Sequence, residues 1–99
     1  MTFSAQEVLR QLGGNKFIAM TGAKDFAKDD EKNMIVFKIG RNSKNISHVR
    51  ITLTSMDVYD MEFIKIRKGV VRVINTEKGV YDDNLQQIFT SNTGLYTHL

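Results

Sequence analysis

The chain of 99 residues contains no cysteine. That excludes disulfides, thiolate metal sites and cysteine nucleophiles, and with them the bridge-held scaffolds common among small secreted proteins. Proline is absent as well, so no stiff linker divides the chain, and residues 1–99 are expected to form one domain. No apolar run approaches the roughly 20 residues that a membrane-spanning helix needs. Met1 to Glu7 show neither a basic nor an apolar targeting segment, so the expectation is a chain without a signal peptide that works in the cytoplasm. The glycosylation sequon at Asn45-Ile46-Ser47 is then incidental. Histidine is scarce. His48 and His98 stand alone, without H-x-x-x-H spacing, and read as surface or edge residues before they read as zinc ligands or general bases.

Hydrophobic residues make up 41% of the chain and charged residues 25%, the balance of an ordinary globular protein. A domain of this length buries only about 60–70% of the surface of its unfolded chain, so its core is thin. Fourteen lysines and arginines against eleven acids give a net charge of +3. Such an excess permits contact with nucleic acid or an acidic partner and requires neither.

The segment Ser4-Ala5-Gln6-Glu7 has the form of a capping box, with Phe3 and Val8 placed as a hydrophobic staple. A helix over about residues 5–12 follows, ended by Gly13-Gly14. Lys16 to Thr21, apolar and bounded by glycines, reads as a first strand. Lys24 to Asn33 is mostly charged and reads as an exposed loop. Met34 to Ile39 alternates, with Ile35, Phe37 and Ile39 on one face, and His48 to Thr54 alternates again, with Val49, Ile51 and Leu53 inward. Ser55 to Asp57 turns the chain. In Val58 to Arg67, Met61 and Phe63 share one face and Ile64 and Ile66 the other. The phase change at Phe63-Ile64 points to a β-bulge or a strand buried on both sides. Lys68-Gly69 makes a turn, Val71, Val73 and Asn75 continue the ladder inward, and Asn75 to Gly79 is polar. A second helix, capped by Asp82 or Asp83, carries Leu85, Ile88 and Phe89, with Gly94 at its end and Leu95 placed to meet Phe89. The apolar tail from Leu95 to Leu99 is expected to dock on the core.

The resulting order is α-β-β-β-β-β-α, with connections too short for helical crossovers. The predicted fold is α+β: a mostly antiparallel meander of about five strands with an N-terminal and a C-terminal helix.

Three stretches together carry a resemblance: Leu12 to Lys24, then Val49 to Leu53 with Tyr59 to Phe63, then Gly79-Val80-Tyr81 with Phe89-Thr90 and Thr93 to Thr97. Nearly the whole chain resembles a family of short uncharacterised proteins from bacteriophages, prophages and other mobile elements. That resemblance implies a phage-type genome and a bacterial host cytoplasm. It assigns no activity, cofactor or binding residue.

No constellation meets the tests for a nucleophile and its base or for a metal site, so the expectation is a protein that is not an enzyme and needs no cofactor or metal. Asp57, Asp60 and Glu62 lie near Tyr59, yet aspartates between strands serve turn geometry first. Gly13-Gly14-Asn15-Lys16 and Thr21-Gly22-Ala23-Lys24 match neither phosphate-binding glycine pattern. The basic residues are more informative. Lys38, Arg41, Lys44, Arg50, Lys65, Arg67, Lys68 and Arg72 all fall in the central strands or their turns. The strand phases put Lys38, Arg50 and Arg72 on the side away from the core. With Arg41 and Lys44 in the adjoining turn and Tyr59 free to stack a base, these residues form the candidate site for DNA or RNA. The competing reading is an ordinary solvated sheet face, which must be polar in any case. The alternative function is protein–protein interaction through the apolar tail or an open sheet edge, with a host or phage protein or a second copy as partner.

Overall fold

In the computed structural model, which describes residues 3–97, the Ser4 hydroxyl opens helix α1 (Ala5–Leu12) by accepting from the Glu7 amide at 3.3 Å. Half of the capping box forms. The Glu7 carboxylate turns forward to Arg10 and Gln11, and the Arg10 guanidinium holds its carboxyl below the usual carboxylate range. Gly13 and Gly14, both at positive φ, end the helix as expected.

The next two elements correct the sequence reading. Lys16 to Thr21 is not a strand but part of a second helix, α2 (Asn15–Thr21). Phe17 and Thr21, one turn apart, are buried, and the Thr21 hydroxyl donates to the Phe17 carbonyl at 2.7 Å. A short apolar run between glycines satisfies either period, and packing decides between them. Lys24 to Asn33 is not a loop throughout, because Lys24–Asp29 is strand β1. β1 is an edge strand exposed on both faces except at Asp29, so it shows no apolar alternation. Its charges are those that blunt further pairing at a sheet edge. The two corrections offset each other in the strand count.

Strands β2 (Met34–Lys38), β3 (His48–Leu53), β4 (Tyr59–Arg67) and β5 (Val70–Val80) complete one antiparallel sheet in the order β1-β2-β3-β4-β5. The architecture is thus the expected α+β meander, with a helix pair at the N-terminal end in place of one helix. Ile35, Phe37, Val49, Ile51, Leu53, Met61 and Phe63 face inward, each at most 6% exposed. Against them pack Val8 and Leu12 of α1, Phe17 of α2, and Leu85 and Phe89 of α3 (Leu85–Thr93). Phe17 is the joint of this core, edge-on to Phe37 at 5.7 Å and to Phe89 at 5.1 Å. The end of α2 meets the sheet closely: the Gly40 amide donates to the Thr21 carbonyl at 2.8 Å, and a Cβ on Gly40 would lie 3.0 Å from that oxygen.

Asp82 and Asp83 do not cap α3 directly. They sit in a 3₁₀ turn (Asp82–Asn84) that precedes it. Gly94, at φ 78°, closes α3 by donating its amide to Thr90 at 2.8 Å. Leu95 then rests half-buried against the core and Thr97 is buried, but Tyr96 between them is 68% exposed, so the tail docks only in part. His98 and Leu99 lie outside the described residues.

Candidate functional site

The register of the sheet determines which cations share a surface. Residues directly opposite one another in an antiparallel pair point to the same face. Lys38 is opposite His48, which is opposite Ile64; Val36 is opposite Arg50, which is opposite Glu62. Lys38 and Arg50 therefore lie on the outer face, as the strand phases predict. Arg72 does not. It pairs with Lys65, one position past Ile64 and in phase with the inward Phe63. The cause is a bulge in β5: Asn75 is opposite Phe63, but Val73 is opposite Ile64, which leaves Ile74 as an extra residue. One inserted residue exchanges the two faces of everything beyond it. The bulge expected at Phe63-Ile64 is present, carried by the partner strand.

The other candidates also separate. Tyr59 is buried, 3% exposed, and opposite Leu53 on the core side, so it cannot stack a base. Burial pushes its phenol pKa up, and the nearby Asp82 carboxylate adds to the shift. Arg50 is half-buried and bound twice by Glu62, at 2.7 and 2.9 Å. The bond to Glu62 raises the Arg50 pKa, and the same pairing neutralises its charge on the outer face. Arg41 and Lys44 are exposed in the β2–β3 connection. Asn42 shapes that loop: its amide donates to Gly40 and Ile46, and its oxygen accepts from Lys44 and Ile46. The carboxylates near Tyr59 have structural roles. Asp57 turns the chain at φ 60°, Asp60 accepts from Gly79 at 3.2 Å, and Glu62 holds Arg50. The sheet face proposed from the sequence is thus not one basic surface.

A different surface is. β4 and β5 run past the core as a two-stranded arm, and every residue from Ile66 to Thr76 is exposed. Apart from Asn75, which donates to Asn92 of α3 at its base, the stretch makes no side-chain hydrogen bond to a helix among the described residues, so local preference must largely hold it. Ile64, Ile66, Val70, Val71, Val73 and Ile74 supply the β-branched residues that favour strands. Lys68 and Gly69 close it as a two-residue turn with φ of 52° and 77°. Positive φ at both central positions matches the twist of a hairpin.

The two faces of the arm differ. Lys65, Arg67, Val70 and Arg72 share one face and, with Lys68 at the tip, line a shallow cleft of about 290 Å³. Ile66, Val71 and Val73 lie on the other, 40%, 60% and 47% exposed. Between Phe63 and Thr76 there are four cations and no acid, and no ion pair to any of the four occurs among the described residues. The net charge of the chain is +3, so removing these four cations leaves −1 for all other residues together. The whole positive excess sits on the arm. Of the cations predicted as the site, Arg72 alone belongs to it; Lys65, Arg67 and Lys68 complete it. Their density around Lys68-Gly69 was the available signal.

No family model, curated protein or solved structure matches the chain. The resemblance to phage and mobile-element proteins gains no support from these comparisons.

Proposed function

We propose that the chain is a non-enzymatic accessory protein that binds a nucleic acid through the β4–β5 arm. In keeping with the resemblance, its setting would be a phage or mobile element in a bacterial cytoplasm. The observation that carries this reading is the confinement of all the positive excess to one projecting ribbon. Arg67, Lys68 and Arg72 are exposed and Lys65 half-buried, and with no ion pair to any of them among the described residues they keep their charge for a polyanion, whereas Arg50 has already given its charge to Glu62. Phosphate contacts by four such side chains release condensed counterions. Binding should then weaken by about 100-fold between 50 and 200 mM salt. Fluorescence polarisation with labelled oligonucleotides measures this directly. The combined variant K65Q/R67Q/K68Q/R72Q should lose binding at low salt while keeping the wild-type circular dichroism spectrum. Unchanged affinity in that variant disposes of the reading.

The exposed Ile66, Val71 and Val73 favour a second reading, in which a protein covers the apolar face of the arm. Capture of a protein that survives nuclease treatment and is lost in V71D, but not in the charge variant, would select it. Addition of a strand to the β5 edge is the weaker form of this idea. β5 carries two register shifts and the cations Arg72 and Lys78, all features that guard an edge.

A further inference from the structure

The nucleic-acid reading leaves the kind of nucleic acid open, and the arm narrows it. Resting on that reading, we infer that the ligand is B-form duplex DNA, entered by the β4–β5 ribbon through the major groove with the Lys65–Arg72 face towards the bases.

Three observations carry this. The first is the absence of a stacking platform. Binders of single strands combine cations with aromatic side chains on which successive bases lie. The exposed aromatics among the described residues are Phe26, Tyr81 and Tyr96. Phe26 is on β1, at the opposite edge of the sheet, and Tyr96 follows α3. Tyr81 follows the far end of β5, about 30 Å along the strand from Arg72 at roughly 3.3 Å per residue. None of these rings stands beside the cations.

The second is shape. From the Ile64–Val73 pair to the turn the ribbon extends about 13 Å, as two strands about 4.8 Å apart. The major groove of B-form DNA, about 12 Å wide and 8.5 Å deep, admits a two-stranded ribbon of this kind. A-form RNA offers a deep and narrow groove that side chains cannot read.

The third is the composition of one face. Lys65 and Arg72 are cross-strand neighbours, and Arg67 and Val70 are the next pair on the same side. Arginine presents two parallel donors that fit the guanine edge, and an apolar side chain suits the thymine methyl. A face with two arginines around one valine can therefore address base edges, while Lys68 at the tip reaches phosphate.

The test compares three labelled ligands at one salt concentration: a DNA duplex of 24 base pairs, one of its strands alone, and an RNA duplex of the same sequence. The expected result is binding to the DNA duplex about tenfold tighter than to either of the others, with V70S losing part of that margin. Equal or tighter binding to the single strand or the RNA duplex overturns the inference and leaves the arm as a general nucleic-acid contact. Binding to none of the three removes the underlying reading as well.

Discussion

The covered half of the sheet and the projecting arm are built from the same strands under opposite rules. In the covered half, β2, β3 and the first part of β4 alternate buried and half-exposed residues, because helices lie on one side and water on the other. There, pairing and side-chain burial reinforce each other. In the arm, nothing is buried from Ile66 to Thr76, so beyond the bond from Asn75 to α3 the structure rests on strand pairing and a well-formed turn. Charge follows the same division. Arg50, in the covered half, is tied to Glu62, whereas no ion pair to the four cations from Lys65 to Arg72 occurs among the described residues. The proposed binding role rests on this surface of exposed apolar and cationic groups.

Truncation breaks this comparison most sharply. Phe17 is fully buried and touches both the sheet and α3 through its ring. Phe17→Ala should cost about 3–5 kcal/mol in urea unfolding, since it removes the joint between layers. Val71→Ala in the arm should cost less than about 1 kcal/mol, because no cavity opens where there is no packing. Equal costs would mean that the arm is covered in solution.

A smaller effect sharpens the electrostatic side. Glu62→Gln removes the partner of Arg50 on the outer face. Both side chains are about 30% exposed, so the pair is partly screened and its loss should cost about 1 kcal/mol. The same change frees a cation on the outer face. If the arm is the contact, affinity for nucleic acid stays near the wild-type value beyond the small gain from one extra charge. A gain matching the loss seen for a single arm cation would return the site to the outer face.

The sequence made the covered half legible and the arm only partly so, for one reason. Alternation appears where one face is buried, and Ile35, Phe37, Val49, Ile51 and Leu53 were readable because of it. Tyr59 was readable too: stepping back by two from Phe63 and Met61 puts it on the core side, against the exposed position assumed for base stacking. β1 and α2 were not, since an edge strand exposed on both faces shows no pattern and a short apolar run fits either period. In β5 the alternation of Val71, Val73 and Asn75 was real but crossed the extra residue Ile74. Carrying one phase across it put Arg72 on the wrong face and left Lys65, Arg67 and Lys68 outside the site. The polar stretch from Asn75 to Gly79 also remains strand, paired with β4 and fastened to α3 where Asn92 binds Asn75 and Glu77.

The smallest expected effect concerns pH and again separates the two regions. His48 lies on the outer face opposite Lys38 and Ile64, with its Nδ1 atom 2.8 Å from the Ser47 hydroxyl. Burial holds its pKa below the ordinary histidine value, the Lys38 charge adds to this, and Asp25 opposes it. The folded state therefore prefers the neutral ring. The stability this contributes is complete above the unfolded pKa of about 6.5 and is lost as pH falls through the lower folded value, at no more than about 1.4 kcal/mol per pH unit. Urea midpoints at pH 7.5 and 5.5 should decline more for the wild type than for His48→Gln. The arm between Phe63 and Thr76 contains no histidine and no carboxylate, so binding by His48→Gln should follow the wild type across the same range. A change in affinity that tracks His48 would tie the outer face to the ligand after all.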